Sequence, residues 1–330
     1  MSLDNLWSSA VALKASDIHA VPGHPLIFRI DGDLVPQSPE LLTASDIAEF
    51  MKTFLSETQM KRFFADSDLD TSHKLADGSR FRINCHVVGG EPAFTARVIP
   101  LAIPTPDEIG LPPIVLKLCQ SRDGLILFTG PTGSGKSTAL ASILSFLSQE
   151  DGLNVITLED PIEFQLPRGK GIIRQRELGV DFPSFPEGLK HVLRQDPDVV
   201  MIGEMRDLDS ISLALTLAET GHLVLGTLHT PNTVQTIDRI VDVFPSHQQS
   251  QVRMQLSLSL KAVIGQRLLP RVGGGRIANR EILIKTPAVA NIIRDERLAE
   301  LPSILQTGAS EGMITFEKDL QRLKDEGVVE

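Results

Sequence analysis

The chain has 330 residues, 42% of them hydrophobic, which is enough for a sizeable core and two domains. Its 32 basic and 42 acidic side chains give a net charge of -10, so a cationic track for nucleic acid or anionic lipid is not expected. The two cysteines, Cys85 and Cys119, lack the paired spacing of a disulfide framework or a zinc knuckle. This cysteine usage is typical of a reducing cytoplasm.

Neither a signal peptide nor a membrane span is predicted. The first residues show no cationic stretch followed by an apolar one. The most apolar long window, residues 211–228, is interrupted by Glu219, His222 and two glycines. We therefore expect any membrane role to come through a partner, without direct insertion.

The first hundred residues predict a small α+β domain. Residues 26–30 are mostly apolar and precede Asp31-Gly32, a pair typical of a hairpin turn after a strand. Asp77-Gly78 repeats this signal before residues 81–87, where apolar and polar side chains alternate. Between the two hairpins, residues 44–64 have the apolar spacing of a helix.

Residues 101–113 carry four prolines and predict a linker. Beyond it, four short apolar runs alternate with helical segments, as buried parallel strands do in an α/β domain. The runs are residues 125–128, 155–158, 199–202 and 223–225. Since ligands of open α/β sheets sit at the carboxyl ends of strands, we expect the polar residues after each run to meet at one edge. From about residue 245 the chain is predicted to be mostly helical, with a glycine turn at residues 273–275.

The most specific motif follows the first apolar run and predicts binding and hydrolysis of ATP with Mg²⁺. Its glycines let backbone N–H groups face phosphate oxygens. Lys136 places a positive charge at the β- and γ-phosphates, and Ser137 places a hydroxyl on Mg²⁺. The motif consists of Gly130, Pro131, Thr132, Gly133, Ser134, Gly135, Lys136, Ser137 and Thr138.

Acidic residues follow the second and third runs. In many P-loop enzymes, an aspartate that supports Mg²⁺ precedes the glutamate that follows this strand. Here that glutamate is Glu204, and the residue before it is Gly203. Glu204 can still orient or deprotonate the attacking water and is a candidate metal contact. Glu159, Asp160 and Glu163 would repel one another unless a cation intervenes, so they are candidates for the missing Mg²⁺ and water contacts. The alternative is an acidic turn that starts a helix.

Histidines and arginines complete the candidate site. His229 follows the fourth run and is placed to contact the γ-phosphate, whereas His222 precedes that run and has a structural role as its alternative. Arginines are candidates because phosphoryl transfer is often completed by one from a neighbouring subunit, with surface ion pairs as the alternative. The candidates are Arg194, Arg206 and Arg239 near the motifs, and Arg80, Arg82 and Arg97 in the first domain.

Together, the four motifs resemble those of the PilT-like branch of the type II/IV secretion ATPases. That family names them the Walker A, Asp, Walker B and His boxes. They read GPTGSGKST at 130–138, ITLEDPIEF at 156–164, RQDPDVVMIGEMRD at 194–207 and AETGHLVLGTLHT at 218–230. The resemblance also includes residues 15–19, 28–32, 236–240 and 265–268, and so covers nearly the whole chain.

The resemblance implies an α/β protein with a PAS-like domain at residues 1–100, a linker at 101–113 and a RecA-like ATPase domain at 114–330. It implies a homohexamer in which ATP is held between the two domains of one subunit and the first domain of the neighbouring subunit. It further implies a cytoplasmic motor, docked on an inner-membrane platform protein, that moves a type IV pilus. Carried over by position, Lys136 and Ser137 hold phosphate and Mg²⁺, and Glu204 is the catalytic base.

The resemblance also indicates the direction of movement. Pilus-extension and type II secretion members usually carry a longer N-terminal extension and a four-cysteine zinc insertion, and this chain shows neither. The retraction branch usually has Ala-Ile-Arg-Asn-Leu-Ile-Arg-Glu where this chain has residues 289–296, so the first arginine is unmatched although Arg294 is present. Pilus retraction, and with it twitching motility, is the expected task.

Three alternatives remain open. Within the family, the chain could drive a related secretion or pilus-assembly system or be an accessory retraction ATPase. A RecA-like DNA translocase is disfavoured by the acidic balance and by the lack of an Arg/Lys-aromatic strip. A nucleotide-dependent switch is the third, although the Asn-Lys-x-Asp pattern usual in GTP switches does not occur.

Overall fold

The computed structural model describes residues 5–30, 32–99 and 102–330. Within these residues, contacts form two compact units, the first ending at Ala102 and the second running from Ile103 to Glu330. Each unit has its own core and its own β-sheet. The predicted turn at Asp31-Gly32 includes Asp31, which lies outside the described residues.

The first unit contains an antiparallel sheet. In its described part the strand order is β3-β2-β1-β6-β5-β4, and each neighbouring pair is antiparallel. Phe81, Ile83 and Cys85 of β5 are buried while the residues between them are half-exposed, which confirms the predicted alternation. The strands are β1 (Asp17–Ala20), β2 (Pro25–Ile30), β3 (Asp33–Leu41), β4 (Asp68–Lys74), β5 (Arg80–Val88) and β6 (Glu91–Ile99).

The helices of the first unit are α1 (Leu6–Ala12), α2 (Ala44–Met51) and α3 (Glu57–Asp66). The prediction of one helix over residues 44–64 is wrong in the middle, because α2 ends at Met51 and α3 begins after its N-cap residue, Ser56. The Ser56 hydroxyl accepts from the Gln59 N–H, and the Gln59 side chain accepts from the Ser56 N–H. This capping box satisfies the free donors of a helix start, so it favours a new helix over continuation of α2.

Parallel strands form the centre of the second unit. Within residues 103–330, β7, β11, β10, β8 and β9 pair in that order and all run parallel. Each predicted apolar run lies in one of these strands, which confirms that part of the prediction. The strands are β7 (Gly124–Thr129), β8 (Asn154–Glu159), β9 (Ile172–Glu177), β10 (Val199–Ile202) and β11 (Leu223–Leu228).

Helices flank this sheet and continue to the end of the chain. In the part of the chain that the structure describes, the helices are too short or too polar to cross a lipid bilayer. Those of the second unit are α4 (Pro113–Cys119), α5 (Lys136–Glu150), α6 (Phe185–Val192), α7 (Leu208–Glu219), α8 (Thr233–Asp242), α9 (Ser246–Ser259), α10 (Pro287–Arg294), α11 (Leu301–Thr307) and α12 (Phe316–Asp325).

The predicted helical tail is wrong at its centre, where β12 (Leu260–Pro270) and β13 (Arg276–Ile284) form an antiparallel hairpin. The glycines at 273–275 have positive φ and lie in the connection between these strands. β12 also pairs in parallel with β7, so the hairpin extends the central sheet. Most of both strands is buried, including polar side chains such as Gln266 and Arg280. Their sequences therefore lack the apolar/polar alternation that identifies a half-buried strand.

We expect Phe81→Ala to destabilise the first unit by about 3–5 kcal/mol, because this fully buried ring lies 4.5 Å from the Trp7 ring and its loss leaves a cavity. Trp7 is the single tryptophan, so its fluorescence during urea unfolding reports on this unit. Phe64→Ala is the matched control: Phe64 is 64% exposed, and a change within about 0.5 kcal/mol is expected. Equal midpoint shifts for the two variants would contradict this description of the core.

Candidate nucleotide site

The carboxyl ends of β7, β8, β10 and β11 lie at one edge of the second sheet, which we call the carboxyl edge. They meet there because the four strands are parallel and directly paired. Every predicted motif thus contributes residues to this edge. They are the loop 130–135 after β7, Glu159 and Asp160 at the end of β8, Gly203 and Glu204 after β10, and His229 and Thr230 after β11.

The loop 130–135 has the shape and the free donors of a phosphate site. A Cβ atom at Gly130, where φ is +145°, would lie 2.2 Å from the carbonyl oxygen of Gln266, so a larger residue does not fit. Gly135 has a φ of 85° and begins α5, whose first N–H groups have no partner within the helix. Among the described residues, the buried hydroxyl of Ser134 has no hydrogen-bond partner. Phosphate oxygens would satisfy these donors.

Lys136 is held inside this loop. Its side chain is buried, and its Nζ donates to the carbonyl oxygens of Gly130 at 2.7 Å and Pro131 at 3.1 Å. Burial lowers the pKa of the Lys136 ammonium, while the negative charges of Glu204 and Glu163 act in the opposite direction. A bound phosphate would supply the compensating negative charge that a buried cation needs.

Glu204, Arg206 and His229 form a second group, the Glu204 cluster. The Oε1 atom of Glu204 accepts a hydrogen bond from Nε of Arg206 and lies 3.3 Å from Nε2 of His229. The hydrogen bond to Glu204 is the main reason that the pKa of Arg206 is raised. The cluster holds a half-buried carboxylate at the carboxyl edge, where it can orient or deprotonate a water molecule.

The acids after β8 differ strongly in their environments. Glu159 is buried and accepts hydrogen bonds from Thr157 Oγ1 at 2.6 Å and Gln175 Nε2 at 3.0 Å. Burial raises the pKa of Glu159 to about 7 despite these bonds. Asp160 is exposed, and Glu163 is half-buried and close enough to influence Lys136.

The predicted acidic metal ligands have different hydrogen-bond partners. Among residues 5–30, 32–99 and 102–330, no three Asp, Glu, His or Cys side chains are grouped to hold a metal ion. Glu159 is bound by Thr157 and Gln175, and Glu204 by its own cluster. The assignment of Glu159, Asp160 and Glu204 as metal contacts stays a prediction. The exposed hydroxyl of Ser137, in the first turn of α5, remains a suitable ligand.

His222 and Arg194 lie away from the carboxyl edge. His222 precedes β11, and its Nδ1 atom lies 3.1 Å from both Thr220 Oγ1 and the Leu217 carbonyl oxygen. Six strand residues, about 20 Å of chain, separate it from the edge reached by His229. Arg194 is exposed before the amino end of β10, and Arg239 is exposed on α8. Of the three arginines predicted in this unit, the structure brings Arg206 to the other site residues.

The arginines predicted in the first domain lie on β5 and β6 of the first unit. Arg82 pairs in register with Arg97, and Arg80 with Ile99. Nε of Arg97 donates to Asp17 Oδ1 at 2.9 Å, an ion pair whose arginine is mainly exposed. Arg82 and Arg97 therefore place two cations side by side on neighbouring strands.

Comparison with known proteins identifies the family of the chain. The family model described as "Type II/IV secretion system protein" matches residues 1–275. The chain belongs to this family. It is 40% identical over 329 residues to the type IV pilus retraction ATPase PilT of Pseudomonas aeruginosa, covering 100% of this chain and 96% of that protein. It is 41% identical to a twitching motility protein of Neisseria gonorrhoeae, covering 98% and 90% of the two chains.

Structure comparison agrees with the sequence comparison. The crystal structure of the pilus retraction motor PilT with bound ADP superposes with a TM-score of 0.93 at 41% identity, covering 100% of this chain and 95% of that one. A type IV pilus assembly ATPase of Acinetobacter baylyi is less similar, with 30% identity over 82% of this chain and 47% of that protein. The protein is thus a two-domain α/β ATPase of the secretion family.

In this secretion-family ATPase, residues behind the loop also contribute to the site. Nε2 of Gln266, on β12, donates to the carbonyl oxygen of Ser134 at 2.8 Å. Thr129 Oγ1, at the end of β7, donates to the carbonyl oxygen of Thr230 at 2.6 Å and joins two strand ends. The sequence reasoning assigned no role to these residues. The available signal for Gln266 was its place in residues 265–268, a segment that resembles the family.

We expect Glu159 to make stability fall as the pH rises through neutrality. Its folded-state pKa of about 7 exceeds the ordinary value of 4.5, so between these values the folded state binds more protons than the unfolded state. The stabilising effect is complete below pH 4.5 and is lost as the pH rises through 7. Between pH 5 and 8, the wild type should lose roughly 2 kcal/mol relative to Glu159→Gln in urea unfolding.

Glu150→Gln provides the control for this pH series, because Glu150 is exposed at the end of α5. Its pH dependence should match that of the wild type. A Glu159→Gln variant that loses stability in parallel with the wild type would show that Glu159 does not titrate in this range.

Proposed function

We propose that this ATPase powers the retraction of a type IV pilus and thereby twitching motility. The observation that carries the proposal is the 40% identity to a retraction ATPase along the whole chain, against 30% to the pilus assembly ATPase. The close superposition on a retraction motor and the P-loop geometry support it.

The proposed hydrolysis uses the groups at the carboxyl edge. The N–H groups of the loop 130–135 and the ammonium of Lys136 bind the β- and γ-phosphates of ATP. Glu204 orients and deprotonates the attacking water, while its contacts with Arg206 and His229 hold the carboxylate in place. His229 is the candidate contact to the γ-phosphate.

Mg²⁺ is the metal that this chemistry implies. Ser137 would hold it, which suits the preference of Mg²⁺ for one or two protein oxygens beside phosphate oxygens and water. The exposed Asp160 and half-buried Glu163 are available to hydrogen-bond water near it. When bound, Mg²⁺ would offset negative charge on the transferring phosphoryl group.

The proposal includes an assembly. The first unit is PAS-like, the second is RecA-like, and six chains form a ring in which a neighbour's Arg80, Arg82 and Arg97 complete each site. Closure on nucleotide and relaxation after hydrolysis move an inner-membrane platform protein that acts on the pilus. On this proposal the protein works in the cytoplasm, peripheral to the inner membrane, and needs no nucleic acid.

We expect Glu204→Gln to bind ATP but to hydrolyse it at least ~100-fold more slowly, because the amide cannot accept the proton of the attacking water. Phosphate release and equilibrium binding of a fluorescent ATP analogue measure the two effects. Lys136→Ala should instead lose tight binding, since it removes the charge at the phosphates. Glu187→Gln is the control for loss of a carboxylate, because the half-buried Glu187 lies on α6 and pairs there with Lys190. Normal turnover by Glu204→Gln would exclude Glu204 as the base.

The cellular task is tested by expressing the protein in a bacterium that lacks its pilus retraction ATPase. Restored pilus retraction and twitching with the wild type, but not with Glu204→Gln, are expected. The family description favours a secretion motor as the second candidate. Restored protein secretion in a secretion-ATPase mutant, without restored twitching, would support that candidate against retraction.

A further inference from the structure

Two buried side chains behind the P-loop take no part in the proposed chemistry. Gln266 on β12 and Arg280 on β13 are each 1% exposed and are paired in the register of the hairpin. Burial lowers the pKa of Arg280 to about 10, so its guanidinium is still charged at neutral pH. Because burying an unpaired charge is strongly unfavourable, its hydrogen bonds must be well defined.

These hydrogen bonds determine the orientation of the Gln266 amide. Nε of Arg280 donates to Gln266 Oε1 at 3.1 Å, and Gln266 Nε2 donates to the Ser134 carbonyl oxygen at 2.8 Å. A guanidinium has donors only, so the amide oxygen must face Arg280. The amide nitrogen then faces the P-loop, where a carbonyl oxygen needs a donor.

The remaining donors of Arg280 reach the start of the second unit. Its Nη1 donates to the Gly110 carbonyl oxygen at 2.6 Å, and its Nη2 to that of Ile109 at 3.0 Å. Asp319 of α12 accepts the backbone N–H of Arg280 at 2.6 Å and favours its charged form. One cation therefore connects the P-loop to the segment that follows the first domain in the chain.

The P-loop also lies directly against Gln266. A Cβ atom at Gly130 would be 2.2 Å from the carbonyl oxygen of Gln266, and one at Gly135 would be 2.9 Å from its Nε2. Main chain and side chain of Gln266 thus form the wall behind the loop. The hydrogen bond from Gln266 Nε2 holds the Ser134 carbonyl group against this wall. The carbonyl oxygen therefore faces away from the space in which phosphate would bind.

We propose that Gln266 and Arg280 are positioning residues for nucleotide binding: Arg280 orients the Gln266 amide, which holds the P-loop in its phosphate-binding shape. The proposal rests on the proposed function only in that the P-loop binds nucleotide. It does not depend on what the motor moves.

The test measures the Kd of a fluorescent ADP analogue well below the unfolding temperature. Gln266→Met keeps the side-chain length but removes the amide, so Kd should rise roughly tenfold. Arg280→Lys keeps the charge but loses the planar fork, so the amide is no longer oriented and a similar rise is expected. The double variant should bind no more weakly than the weaker single variant, because both act through the bond to Ser134. In turnover, KM should rise and kcat should stay unchanged.

Arg253→Lys is the matched control. Arg253 lies on α9 and is also largely buried, but it pairs with Glu296 at 3.0 Å. The Kd of Arg253→Lys for the ADP analogue should therefore equal that of the wild type. Wild-type affinity in folded Gln266→Met, or additive losses in the double variant, would overturn the proposal. If Arg280→Lys fails to fold, the Gln266→Met result decides alone. A wild type that binds no ADP would contradict the proposed function itself.

Discussion

The rest of the site depends on the hydrogen bonds that hold the buried ammonium of Lys136 inside the P-loop. The carbonyl groups of Gly130 and Pro131 hold it, yet burial disfavours its charge, so a bound anion would stabilise the loop. The loop can present these carbonyls only because Gly130 fits against β12, where a side chain would collide with Gln266. Glu204 and Glu163 approach the same ammonium from other strand ends, so the strand order decides which charges meet.

Buried polar groups next to the carboxyl edge give the site its geometry. Glu159 is bound by Thr157 and Gln175, and Glu281 accepts both the N–H and the hydroxyl of Thr233 at the start of α8. Such contacts stabilise little beyond what burial of the groups costs, but they permit few alternative arrangements. A phosphate site benefits from this rigidity, because its donors must be in place before the ligand arrives.

Local patterns account for the parts of the fold that could be predicted. The strands β7, β8, β10 and β11 were predictable because each is a short apolar run followed by polar residues. β12 and β13 were not, since burial of both faces removes the apolar/polar alternation that identifies a strand, and β13 pairs with β12 and, at Ile282, with Ile314 rather than with a predicted strand. The break between α2 and α3 depends on the capping box at Ser56, a polar signal that the apolar spacing of residues 44–64 obscures.

The sequence by itself determined the chemistry of the individual motifs. The spacing of Gly130, Lys136 and Ser137 specifies a phosphate loop, because these eight consecutive residues set the backbone shape and the charge. Only the tertiary structure decided which motif residues meet: Arg206 and His229 contact Glu204, whereas the candidates Arg194 and Arg239 are exposed elsewhere. It also decided that Gln266 supports the loop, since the hydrogen bond joins residues 132 positions apart and depends on β12 pairing with β7.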